Sequence, residues 1–226
     1  MAFADTEREQ IERIKWLWNK FGNLILALLL IASLSYAGWT FYSKHKMNQI
    51  YAASSMYDSL LLQQQNPQQL INTGNEILKQ YPSTVYASFT AFILASQYVN
   101  QDNLVAAKTS LQWVISNAEN PLLIVIAQNR IARILISEGK PEQAIKLLSN
   151  VSKKSIFSPF VNAIRGQAYA KMGDNKLALQ YWNSALDNMN TPEDAGLKQY
   201  LELKINSLAI SQEPNEIPPT KINTTS

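Results

Sequence analysis

The chain has 226 residues, 46% of them hydrophobic and none of them cysteine, with a formal charge of +3. That length admits one domain with a substantial core, and the missing cysteines exclude a disulfide framework. A charge excess this dilute is no nucleic-acid footprint, which needs Lys and Arg gathered on one face. Seven glycines, many Ala, Leu and Gln, and few β-branched alternations predict an all-α fold.

The first twenty residues are a charged head in which Asp5, Glu7, Glu9 and Glu12 balance Arg8, Arg13, Lys15 and Lys20. Thr6-Glu7-Arg8-Glu9 has the spacing of a capping box, so a helix is expected to start there. It places Ile11, Ile14 and Trp18 on one face, suited to lying on a membrane leaflet or a partner, or simply to leading into the apolar run beyond Lys20.

Phe21 to Tyr42, FGNLILALLLIASLSYAGWTFY, holds no charged residue. As a helix its residues rise about 33 Å, enough to cross a hydrocarbon core of about 30 Å. Ser33, Ser35 and Thr40 can return their hydroxyls to the preceding turn. Trp16 and Trp18 before the run, and Tyr36, Trp39, Phe41 and Tyr42 at its far end, resemble the aromatic belts of the two interfaces. Residues 21–42 are therefore read as a transmembrane helix. The rival is a cleaved signal peptide, for which Ser35-Tyr36-Ala37 offers small residues. The apolar run continues past that point, and the acid-rich head is atypical of a leader, so a retained anchor is expected. The four bases of the head, against only Lys44 and Lys46 before Lys79, favour a cytoplasmic head (1–20) and a body on the other side.

In the body, 43–211, Met47 to Gln65 is helical by pattern, with Ile50, Tyr57, Leu60 and Leu61 near one side. Asn66-Pro67 opens a second helix as N-cap and first position, carrying Leu70, Ile71, Gly74, Ile77 and Leu78 and stopping by Tyr81-Pro82. The two are expected to form a hairpin.

The next hundred residues repeat. Ala95, Tyr98, Ala107, Leu111 and Val114 are separated by three, nine, four and three residues. Ala132, Leu135, Ala144, Leu148 and Val151 have the same gaps, as do Gly166, Tyr169, Ala178, Trp182 and Ala185. Each set holds a turn between its second and third members: Gln101-Asp102-Asn103, Glu138-Gly139-Lys140-Pro141 and Met172-Gly173-Asp174-Asn175. Antiparallel helices cross closely only where both offer small side chains, as Gly166 against Ala178 does, and larger residues one turn along fill the wedge beyond. Such a hairpin buries its apolar face only by stacking on neighbours. This is the tetratricopeptide (TPR) spacing. The first set is stretched by three residues relative to the second, so a loop or helix there should be longer. Thr191-Pro192-Glu193-Asp194 then starts a capping helix with Leu197, Tyr200, Leu201, Ile205 and Leu208 on one face. From Gln212 to Ser226 the polar, Pro-rich composition reads as a disordered tail.

Chemistry of the catalytic kind is not expected. His45 is the single histidine, flanked by Lys44 and Lys46 beyond the span, and reads as an interfacial polar residue. There is no thiol, phosphate loop or His-Glu helix pair, and Glu138 and Glu142 are accounted for as helix-end acids. No cofactor or metal is called for. A protein-binding surface is the remaining expectation. In TPR folds the first helix of each hairpin lines a concave groove, which projects Phe89, Phe92, Ile126, Asn129, Arg133, Phe160, Gln167 and Lys171 into it. For Ile126 and Phe160 a plain core position is the competing reading.

The chain resembles the YfgM-like ancillary subunits of the bacterial SecYEG translocon from the head to about Ile210. The resemblance is carried by EQIERIKWLWNKFGN, Gly38-Trp39, YAASSMYDSLL, VYASFTAFILA, the LQWV of Leu111 to Val114, and IAQNRIARILISEGKPEQAIKLL. It implies a single-span inner-membrane protein with its N-terminus cytoplasmic and a periplasmic TPR-like domain. It also implies association with SecYEG and with the membrane-anchored prolyl-isomerase-like chaperone PpiD, and handling of unfolded or nascent polypeptides as they emerge. No catalytic motif comes with it, and the tail after Ser211 lies outside it. A structural TPR scaffold for a pilus or outer-membrane assembly complex is the alternative, and a periplasmic enzyme with an unrecognised site the third.

Overall fold

The computed structural model describes residues 2–151, 156–189 and 194–210; side chains are described from 11 to 208 within those ranges. Among the described residues all regular elements are helical: α1 Ala2–Leu61, α2 Pro67–Gln80, α3 Val85–Asn100, α4 Leu104–Asn117, α5 Pro121–Ser137, α6 Pro141–Leu148, α7 Ser158–Lys171, α8 Asn175–Leu186 and α9 Ala195–Ile210. The chain divides between Ser55 and Met56 into two compact units.

The first unit carries the apolar run. α1 begins at Ala2, upstream of the start expected at Thr6, and continues without a break through residues 21–42. It is one helix long and apolar enough to cross a membrane, and the side chains from Leu24 to Tyr42 are exposed all round. That is the pattern of a helix whose solvent is hydrocarbon rather than a protein core. Ser33 Oγ donates to the Leu30 carbonyl at 2.9 Å and Thr40 Oγ1 to that of Tyr36 at 2.7 Å, so both hydroxyls are satisfied within the helix. Near its start, Lys20 Nζ lies 4.8 Å from the Trp16 ring centroid.

The second unit is a succession of antiparallel helices. α1 stops at Leu61, four residues before the expected Gln65, and Leu60 and Met56 share an apolar cluster with Leu70 and Ile77 of α2 and Ala87 and Leu94 of α3. α2 packs chiefly against α3 rather than pairing closely with the end of α1 as the hairpin reading expected. Its start is as expected: Asn66 Oδ1 accepts from the Gln69 amide at 3.2 Å, with Pro67 at the first helical position.

Three hairpins follow, α3–α4, α5–α6 and α7–α8, and their turns are built alike. Asp102, Gly139 and Gly173 take φ of 57°, 75° and 82°. In each, the next amide reaches back to the carbonyl five residues earlier: Asn103 to Tyr98 at 2.8 Å, Lys140 to Leu135 at 2.8 Å and Asp174 to Tyr169 at 3.0 Å. This closes the orphan carbonyls of the first helix and needs one left-handed residue, which glycine supplies without a Cβ clash. Asn103 and Asp174 then cap the second helix through the amides of Ala106 and Leu177.

The repeated small and large positions form the core. Ala95, Ala107, Leu111, Val114, Ala132, Leu135, Ala144 and Leu148 are buried in one cluster with Ile131, Val161 and Ile164, and Ala178, Trp182, Ala185 and Leu201 in a second. At Gly166 the approach is tight. A Cβ there would lie 2.3 Å from Trp182 Cδ1, so the indole covers the glycine. The extra three residues of the first interval are taken up within a helix: α5 has 17 residues where α7 has 14.

α9 buries Leu201 completely and Leu197, Ile205 and Leu208 partly, but Tyr200, expected on the same face, is exposed. Of the start expected at Thr191-Pro192-Glu193-Asp194, residues 191–193 lie outside the described residues, as does the tail from Gln212.

Candidate binding groove

The first helices of the hairpins, α3, α5 and α7, turn one side into their partners and leave another uncovered. Along that side run three recesses. One of about 400 Å³ is lined by Tyr57, Phe89, Phe92, Ile93, Ser96 and Arg130. The next, about 330 Å³ between α5 and α7, is lined mainly by apolar side chains, including Leu122, Val125, Ile126, Phe160, Ile164 and Leu197, with Asn129, Arg130 and Arg133 among them. A third, about 410 Å³, extends past Arg133 to Gln167, Gly196 and Tyr200. Arg130 lines the first and second, and Arg133 the second and third, so the three are contiguous.

Seven of the eight residues projected from the repeat register line these recesses; Lys171, exposed at the end of α7, lines none of the three. Phe160 is 44% exposed and Ile126 half-buried, so Phe160 is not a core residue. The register missed Arg130, Leu122, Tyr57 and the contribution of α9. Arg130 was one position from Asn129 on the same helix, and Leu197 and Tyr200 come from a helix assigned only to capping.

The polar groups in the groove are unusually uncommitted. Arg130 places its guanidinium carbon 4.7 Å from the Phe92 ring centroid, and among the described residues neither Arg130 nor Arg133 forms an ion pair or hydrogen bond. Partial desolvation against its groove neighbours lowers the Arg130 guanidinium from its ordinary value, and the like charge of Arg133 one turn on adds to the shift. It stays protonated at any physiological pH. Asn129 Oδ1 is buried with no hydrogen-bond partner, a state that costs about 1–3 kcal/mol when a donor is not supplied. Tyr57 lies 6.3 Å from Phe89 and 5.6 Å from Tyr86, ring to ring. Its hydroxyl is raised above the usual tyrosine range by burial and by Asp58.

Other charged groups serve the scaffold. Glu138, beyond its place at a helix end, bridges Lys108 of α4 at 2.5 Å and Lys140 at 2.9 Å, and hydrogen bonds from Lys108 and then Lys140 hold its carboxyl below the ordinary value. Arg165, only 7% exposed, donates to the carbonyl of Leu148 at the end of α6 at 2.6 Å and to Asn162 Oδ1 at 3.1 Å; Asn162 in turn donates to Ser158 and Ser184. A helix C-terminus presents partial negative charge, which explains how this guanidinium is held without a carboxylate. Among the described residues no group of three or more His, Cys, Asp or Glu is placed to hold a metal ion.

In-phase hairpins with a small–large register, left-handed turns and an open side along their first helices define an α-helical repeat protein. The chain belongs to the family described as tetratricopeptide repeat-like domain, which matches residues 15–210. It is similar to the ancillary SecYEG translocon subunit of Neisseria gonorrhoeae, 28% identical over 211 residues, across 92% of this chain and all of that protein. The proteins of the same name from Escherichia coli and Haemophilus influenzae are 22% and 24% identical, each matched over its whole length and over 93% and 92% of this chain. The resemblance read from the residues thus holds over nearly the entire chain. No solved structure matches.

Proposed function

We propose that the chain is a single-span inner-membrane protein, N-terminus in the cytoplasm and hairpins in the periplasm, that works as an adaptor or holdase beside SecYEG. Its groove binds segments of a PpiD-like chaperone or of emerging polypeptides and releases them unaltered. The observation that carries this is the extent of the likeness: head, apolar run and hairpins together match proteins named as ancillary translocon subunits. The Lys and Arg bias of the head supports the orientation. The uncovered apolar and cationic side of α3, α5 and α7 supports the binding role. Tethering next to an exit pore raises the effective concentration of the groove for chains leaving it, so weak contacts suffice.

Purification of the full-length protein from a mild non-ionic detergent should bring down translocon subunits. A photo-crosslinker at Phe92 should trap secretory chains or a chaperone. Protease added to spheroplasts should digest the hairpins. Hairpins that survive in spheroplasts but are cut after lysis would invert the topology and end this reading.

A further inference from the structure

We infer that the groove selects polypeptide segments that place an acidic side chain close to an apolar one, with the carboxylate on Arg130 and Arg133 and the apolar group in the recess between α5 and α7. This rests on the proposal that the groove receives polypeptide. It adds a rule for which polypeptides.

Three observations converge. First, the recess of about 330 Å³ is walled by Leu122, Val125, Ile126, Phe160, Ile164 and Leu197, a lining suited to apolar side chains and with room for a large one. Second, its polar rim is of one sign. Arg130 and Arg133 line it, no Asp or Glu lines any of the three recesses, and both guanidiniums lack a carboxylate among the described residues. The contrast with Arg165 is informative: that guanidinium donates to the Leu148 carbonyl and to Asn162 and is spent on the fold. Arg130 keeps a face on Phe92 and its N–H donors in hand, the disposition that engages a carboxylate through paired hydrogen bonds. Third, Asn129 Oδ1 sits among them as a buried acceptor without a donor, one position from Arg130 on the same helix. A segment that parts the side chains covering Asn129 as it seats brings a backbone N–H to this acceptor, since extended chains carry such donors along their length. A compact anion would answer the arginines but leave the apolar recess and this acceptor unfilled. The three needs are met together by a peptide.

The test uses the full-length protein in non-ionic detergent and two short fluorescent peptides read by anisotropy. One alternates Glu with Leu and Phe; the other replaces every Glu by Gln. The acidic peptide should bind about tenfold more tightly at low salt, and the gap should narrow as salt screens the pair. The double variant Arg130→Gln, Arg133→Gln should erase the gap by weakening the acidic peptide more than the Gln peptide. Both positions are exposed, so helicity by circular dichroism should not change. Equal affinity of the two peptides for the unaltered protein would overturn the acidic preference and leave the polypeptide-binding reading intact. A gap that persists in the double variant would place the preference elsewhere and overturn this assignment. Absence of binding by either peptide would remove both readings.

Discussion

The α5–α6 and α7–α8 hairpins obey one spacing and one turn, yet their first helices put their polar residues to opposite uses. In α7, Arg165 and Asn162 point inward and tie the helix to the Leu148 carbonyl and Ser184. Its Gly166 is covered by Trp182, whose indole N–H donates to the Ala163 carbonyl at 3.1 Å. In α5, the equivalent position is Ala132, buried in one cluster with aliphatic Ala144 and Leu148, and Asn129, Arg130 and Arg133 stay on the uncovered side. The repeat register fixes where backbones approach. What fills the approach decides whether a helix's polar side chains brace the stack or are offered to a partner.

Substitution at the close approach should break this comparison most visibly. Gly166→Ala puts a methyl 2.3 Å from Trp182 Cδ1 and 2.4 Å from Nε1, and the indole cannot withdraw without losing its hydrogen bond. A loss of about 2–3 kcal/mol in urea unfolding is expected from overpacking of this kind. The reciprocal Ala132→Gly, with no bulky partner to relieve, should cost about 1 kcal/mol through helix propensity. If the two cost the same, Trp182 is not the lock described.

The turns sharpen the point at smaller scale. Asp102 adopts φ 57° where the other two hairpins use glycine. Asp102→Gly should therefore raise stability by about 0.5–1 kcal/mol, and Gly173→Ala should lower it by about 1 kcal/mol. Thermal melts of the two single variants would show shifts of opposite sign.

The smallest effect belongs to the ion pair joining the first two hairpins. Because the folded carboxyl of Glu138 titrates below its unfolded value of about 4.3, its contribution is present above that pH and lost as pH falls through the folded value. Glu138→Gln should cost about 0.5–1 kcal/mol at pH 7, and the difference from the unaltered protein should vanish in strong acid. A constant difference at every pH would mean that packing, not charge, accounts for it.

Much of this molecule was legible in its residues because its determinants are local or periodic. An apolar run of the right length, caps such as Asn66 and Asp174, and three in-phase sets of five residues state helices, turns and hairpins without knowledge of the rest of the chain. The register also projected Phe89, Phe92, Ile126, Asn129, Arg133, Phe160 and Gln167 toward one side. It also projected Lys171, which lines none of the three recesses, and it left out Arg130 and the Tyr200 of α9, whose places depend on neighbours far along the chain.

The sequence by itself determined the all-helical class, the single membrane-length helix and the hairpin register, since helix propensity and hydrophobic period act within a few turns. Only the tertiary structure decided how closely the Trp182 indole covers Gly166. It likewise decided that Arg165 is consumed by the α6 carboxyl end, and that α9 lends Leu197 and Tyr200 to the groove. Those choices are settled by which side chain reaches a given space first, and reach across a packed stack is not written in spacing along the chain.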